Sequence, residues 1–153
     1  MSKCLVLYGT LTMNTEIVAE KLHEAVGELG VFDELELMNM IEITDTSILE
    51  SYDFIIVGTS TWGEGDYNPD TDEFIYLLEE QNPNLEGKPY SIFGLGEISY
   101  DDYCGAAKNL DRMFSDDFKM VKKGELFTID GYPEYEILEL VRTWINTILE
   151  SNI

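Results

Sequence analysis

Four side chains that can donate hydrogen bonds occur within six positions just after the first apolar segment of the chain. The six residues are Thr10, Leu11, Thr12, Met13, Asn14 and Thr15. A helical pattern begins at Asn14, and the free N–H groups at a helix start carry partial positive charge. They can hold a phosphate without a lysine or arginine. The alternative is helix capping, but a cap needs only one of these residues, so the cluster favours an anion-binding turn.

Two later loops each carry one large aromatic side chain at the end of an apolar segment. The first loop contains Ser60, Thr61, Trp62 and Gly63, and the second contains Leu95, Gly96, Tyr100, Tyr103 and Cys104. If both loops face one crevice, Trp62 and Tyr100 can stack on either side of a flat ring. The expected ligand has a phosphate at one end and an aromatic system at the other.

The elements that position these loops follow from the apolar pattern. Short apolar segments alternate with amphipathic helical segments, which predicts a parallel sheet covered by helices on both faces. The predicted strands are Lys3–Gly9, Phe32–Met38 at an edge, Asp53–Ser60, Tyr90–Gly96 and a fifth that ends in Leu126–Ile129. Residues Thr61–Asp70 are predicted to form a long polar loop. In such sheets the ligand lies beyond the carboxyl ends of the strands, where all three loops belong.

Composition limits the class of protein further. The 153 residues are expected to form one domain, 1–153, and they include 31 acidic and 9 basic residues, a net charge of −22. Such a surface repels nucleic acid and anionic lipid and attracts basic partners. No apolar stretch is long enough to span a bilayer, and no signal peptide is evident. Cys4 and Cys104 stand alone, which indicates neither a disulfide framework nor a zinc site. The expected location is the cytoplasm.

Two other classes of protein fit the residues poorly. A phosphorylation receiver domain needs acidic residues after the first strand and an aspartate at the end of the third, where this chain has Thr10 and Thr59–Thr61. The acidic segment Asp66–Asp70 has the spacing of calcium ligands. An EF-hand loop also requires glycine at its sixth place and glutamate at its twelfth, and here those places hold Thr71 and Leu77. No metal site is predicted.

Three segments, GTLTMNTE (9–16), STWGEGD (60–66) and GLGEISYDDYCGAAKNL (94–110), together resemble the flavodoxin family. The region 118–130 has no room for the extra loop of long-chain members, so the resemblance is to short-chain flavodoxins. It implies a flavodoxin-like, doubly wound α/β fold with a five-stranded parallel sheet in the order 2-1-3-4-5. It also implies a monomer that binds one FMN non-covalently and carries single electrons, and that is not an enzyme.

The resemblance assigns the three loops to parts of FMN. Residues Thr10 to Thr15 would hold the phosphate, and Ser60, Thr61, Trp62 and Gly63 would flank the ribityl chain and the inner ring face. Tyr100 would cover the outer face, and Leu95, Gly96, Tyr103 and Cys104 would contact the ring edge and its pyrimidine end. The family motif usually has glycine where this chain has Met13, which fits if that residue already has helical dihedral angles.

The resemblance and the charge together predict the role. Acidic residues around the flavin disfavour its anionic reduced form and lower its potential. The protein is expected to shuttle electrons between basic-faced redox proteins, such as a flavodoxin/ferredoxin–NADP reductase, and electron acceptors. The alternative is a flavodoxin-like FMN protein that activates one enzyme, such as ribonucleotide reductase.

Overall fold

The computed structural model describes residues 2–9, 13–62, 66–96 and 104–151. Its strands are β1 (Lys3–Gly9), β2 (Glu34–Asn39), β3 (Phe54–Trp62), β4 (Asp66–Tyr67), β5 (Pro89–Gly96), β6 (Val121–Lys122) and β7 (Phe127–Asp130). Its α-helices are α1 (Met13–Leu29), α2 (Pro69–Gln81), α3 (Gly105–Arg112) and α4 (Tyr135–Ser151). Two 3₁₀ segments, Met40–Glu42 and Thr46–Ser51, and a π-helical turn, Met113–Asp117, complete the regular elements of the described residues.

The sheet has the predicted strand order. β2, β1, β3 and β5 lie side by side and parallel, and β2 is only partly buried, as expected for an edge strand. The fifth position is shared by two short strands, because β6 pairs with the start of β5 and β7 with its end. Gly124 lies between them at a φ of +78°, a left-handed conformation that interrupts an extended chain. The predicted order 2-1-3-4-5 is therefore confirmed. The fourth predicted strand is β5, and the fifth is divided into β6 and β7.

The prediction of a continuous polar loop over Thr61–Asp70 is wrong at both ends of that range. β3 continues through Trp62, and Thr61 pairs antiparallel with Tyr67 in β4. Threonine, tryptophan and tyrosine favour extended structure, and pairing satisfies backbone groups that a loop would leave to water. The chain therefore doubles back at the carboxyl end of β3.

Helices cover both faces of the sheet. Alternate residues of β1 point to opposite sides: Leu5 and Leu7 pack into the core beneath α2 and α3, whereas Val6 and Tyr8 pack beneath α1 and α4. This alternation follows from the two-residue period of a strand. Within the described ranges, no helix combines the length and the apolar character needed to cross a membrane.

Candidate functional site

The carboxyl ends of three neighbouring strands meet at one edge of the sheet. Gly9, at the end of β1, pairs with Thr59 in β3, and Thr59 pairs with Gly94 in β5. The ends of these strands are therefore neighbours, as the sequence predicts. Among the predicted site residues, Thr10, Leu11, Thr12, Gly63, Tyr100 and Tyr103 lie outside the described residues.

The described part of the first segment is the start of α1. Met13 is the first helical residue, is 65% exposed, and is not among the described residues with positive φ. Its helical conformation is the one expected from the sequence, so methionine causes no backbone strain where the family usually has glycine. Asn14 lies in the same first turn and is partly buried.

Thr15 places an unpaired hydroxyl group in the first turn of α1. Its side chain is fully buried, and its Oγ1 has no hydrogen-bond partner within the described part of the chain. Buried hydroxyl groups are normally paired, because an unpaired one loses its hydrogen bonds to water without replacement. A neutral donor in the first turn of a long helix is the chemistry that a phosphate oxygen requires. The residues at this end of α1 therefore fit the phosphate of FMN.

The acidic neighbour Glu16 has a hydrogen-bond partner of its own. The hydroxyl group of Tyr8 donates a hydrogen bond to Glu16 Oε1 at 2.5 Å. Burial, followed by this hydrogen bond and the charge of Glu16, raises the pKa of Tyr8 above its usual value, so Tyr8 remains a donor. The carboxylate of Glu16 is thus bound to the side chain of Tyr8, which lies beneath α1.

The second segment is tied to two neighbouring helices. Thr61 Oγ1 accepts a hydrogen bond from the backbone N–H of Ala106, near the start of α3, at 3.0 Å. Ser60 Oγ accepts one from Asn68 Nδ2, also at 3.0 Å. Asn68 precedes α2 and caps it, since its Oδ1 accepts the N–H of Thr71 at 3.0 Å. Trp62 is the last residue of β3, and the stacking of Trp62 and Tyr100 on opposite faces of a flat ring stays a prediction.

The described residues of the third segment are Leu95, Gly96 and Cys104. Leu95 is buried in the core beneath α1 and α4, and Cys104 is completely buried, with its Sγ 3.5 Å from the carbonyl oxygen of Gly94. A Cβ at Gly96 would lie only 2.9 Å from the backbone nitrogen of Cys104, so this close approach requires glycine. The thiol of Cys104 is thus held in the interior against Gly94, and a contact between Cys104 and a flavin stays a prediction.

Charge divides the molecule into an acidic and a mixed part. Acidic residues at the carboxyl ends of the strands and the adjoining helix starts include Glu16, Glu42, Asp70, Asp130 and Glu134. Of the nine basic residues, only Lys108 lies in a first helical turn at this edge. Arg142 is paired with acidic residues on α1 and α4, and Lys122 is paired with Asp111. The described ranges contain no group of His, Cys, Asp or Glu side chains that could hold a metal ion.

The strand order and the helices on both faces define a doubly wound α/β protein, a class in which ligands bind at the carboxyl ends of the strands. The flavodoxin family model matches residues 6–144. A flavodoxin of Maridesulfovibrio salexigens is 36% identical over 88% of this chain and 90% of its own. A probable flavodoxin of Bacillus subtilis is 36% identical over 72% of this chain and 71% of its own.

Solved structures agree with the sequence relatives. The crystal structure of oxidised flavodoxin 2 from Bacillus cereus superposes with a TM-score of 0.88 over 98% of this chain and 99% of that one, at 26% identity. The chain belongs to the flavodoxin family. Members of this family bind FMN and are electron-transfer flavoproteins, not enzymes.

Proposed function

We propose that this protein is a low-potential one-electron carrier that holds one FMN across the carboxyl ends of β1, β3 and β5. The observation that carries the proposal is the buried, unpaired hydroxyl group of Thr15 in the first turn of α1. It supplies a neutral donor where the FMN phosphate would lie, at a helix start whose partial positive charge favours an anion. Membership of the flavodoxin family supports the same cofactor.

Each segment has its own task in this proposal. Thr10 to Thr15 bind the phosphate, and Ser60 to Gly63 bind the ribityl chain and one face of the ring. Tyr100 covers the other face, while Leu95, Gly96, Tyr103 and the Cys104 backbone lie along the ring edge. FMN supplies the redox chemistry when it is bound. The chain's own residues fix its position, exclude water from the ring and set the surrounding charge.

The acidic edge accounts for both the low potential and the choice of partner. Carboxylates near a ring that becomes negative on reduction make that reduction less favourable. The same carboxylates attract basic faces of partner proteins, such as a flavodoxin/ferredoxin–NADP reductase and its electron acceptors, and speed their encounter. We propose that the protein works as a cytoplasmic monomer. The rate of electron transfer should fall as ionic strength rises, and a flat salt response would contradict docking through this edge.

Purification and stepwise reduction test the function. The protein should be yellow, and denaturation should release FMN rather than FAD or riboflavin. Photoreduction should proceed in two separated one-electron steps, with the second at low potential. A colourless protein that ignores added FMN would overturn the proposal. Bound FMN without separated steps would instead favour a protein dedicated to one enzyme, such as a ribonucleotide reductase activator.

A further inference from the structure

The buried side chain of Asn68 joins the ends of two strands. Asn68 is 1% exposed, and its Nδ2 lies 3.0–3.1 Å from four oxygen atoms. They are the carbonyl oxygens of Gly9 and Ser60 and the hydroxyl oxygens of Thr59 and Ser60. Its Oδ1 accepts the backbone N–H of Thr71. Every polar atom of this side chain is therefore engaged by the protein itself.

Both ends of the predicted cofactor site depend on these bonds. Gly9 is the last residue of β1 and directly precedes the phosphate-binding segment. Ser60 begins the segment assigned to the ribityl chain and ring. One amide group thus bonds to the backbone of both strands, β1 and β3, just where each leads into its segment. Beside it, the hydroxyl oxygens of Thr59 and Thr71 are 2.6 Å apart, which ties β3 to the start of α2.

The backbone of Gly9, at the end of β1, is packed directly against the start of α2. A Cβ at Gly9 would lie 2.3 Å from Thr71 Oγ1 and 2.5 Å from Met40 Sδ. The backbone of Gly9 is thus pressed against the first turn of α2, where Asn68 is the cap. Close-packed interiors transmit small displacements, so a change in the Asn68 hydrogen bonds shifts the ends of β1 and β3 relative to each other.

We propose that Asn68 is a positioning residue that fixes the separation between the phosphate end and the ring end of the FMN site. This inference rests on the proposed FMN function. Asn68 does not contact FMN; it acts through Gly9 and Ser60. FMN engages both ends at once, whereas riboflavin engages only the ring end and inorganic phosphate only the helix start. Joint binding is lost when the two ends no longer match the ligand.

Asn68→Asp separates the two roles of the side chain. Aspartate keeps the oxygen that accepts the Thr71 N–H and is an equally good helix cap, but it cannot donate to Gly9 or Ser60. We expect the FMN dissociation constant to rise at least about tenfold, and those of riboflavin and inorganic phosphate to rise less than about threefold. Asn84→Asp is the matched control. Asn84 is exposed at the opposite edge of the sheet and precedes β5, so the same charge change there should leave all three constants unaltered.

Asn68→Ser is the second variant, because it keeps a cap without placing a charge in the interior. Far-ultraviolet circular dichroism and thermal unfolding establish that each variant is folded before titration. Equal weakening of FMN and riboflavin, unchanged FMN binding in both folded variants, or failure of both to fold would overturn the positioning role. If the unmodified protein binds no FMN, the proposed function fails as well. If it binds FMN and only the selective loss is missing, the positioning role alone is wrong.

Discussion

Replacing Thr15 by valine should stabilise the apoprotein against unfolding and weaken its binding of FMN. Valine has nearly the shape of threonine and lacks the hydroxyl group, so the packing beneath α1 is retained. In the empty protein that hydroxyl is buried without a partner in the described part of the chain. An unsatisfied buried polar group costs about 1–3 kcal/mol. The free energy of unfolding of Thr15→Val apoprotein should therefore rise by about 1 kcal/mol, which raises Tm by about 2–4 °C at this chain length.

The same substitution should weaken FMN binding. A hydrogen bond to a charged group contributes about 1.5–3 kcal/mol. Losing that hydrogen bond predicts a rise in the FMN dissociation constant of about 10- to 100-fold. Urea unfolding of the apoprotein and quenching of FMN fluorescence measure the two effects.

Thr143→Val provides the matched control, since Thr143 is an exposed threonine within helix α4. It should change FMN affinity by less than about twofold. If Thr15→Val lowers the stability of the apoprotein and leaves FMN affinity intact, Thr15 is a structural residue and the reasoning about its unpaired hydroxyl is refuted.

Three further predictions concern single residues. Gly58→Ala should lower the free energy of unfolding by more than about 2 kcal/mol, because its Cβ would lie 1.9 Å from the ring of Phe93. Gly27→Ala should raise it by about 0.5–1 kcal/mol, because Gly27 is within helix α1 and its Cβ would make only an ordinary contact with Leu35 at 3.6 Å. Urea unfolding that gave the reverse order would contradict both. Met13→Gly should change FMN affinity by less than about tenfold, since Met13 already has helical dihedral angles. A hundredfold gain in affinity, measured by titrating the apoprotein with FMN, would show that the backbone at Met13 is strained. Burial raises the pKa of Cys4 from 9.0 to about 12, so the unfolded chain loses this proton first and the free energy of unfolding should fall as pH rises above 9.0. Urea unfolding at increasing pH should give a shallower fall for Cys4→Ala, and an equal slope would argue against a buried neutral thiol.

Much of the fold can be predicted from local sequence patterns. Alternating apolar strands and amphipathic helices predict the parallel sheet, and the position of Met13 at the start of a helical pattern predicts its conformation. The burial of Thr15 could also have been predicted. It lies one turn before Val18 and Ala19, on the stripe that packs beneath the sheet, so its side chain belongs to the interior and not to the solvent.

Hydrogen bonds between residues far apart in the sequence cannot be predicted from local patterns. Asn68 precedes a proline at a helix start, a pattern that indicates a cap and says nothing about Gly9, which is 59 positions away. The thiol of Cys104 is another such case. Its direction depends on a left-handed backbone, with φ of 55°, at a residue that usually avoids this region. Local propensity predicts neither feature, because both follow from how distant strand ends are brought together.

The most direct test of the account is a parallel titration of apoprotein with FMN and with riboflavin. Neutral donors at the start of α1 are expected to hold the phosphate, so one FMN should bind per chain and far more tightly than riboflavin. Equal affinity for the two flavins would show that the phosphate is not held there, and no binding of either would contradict the account as a whole.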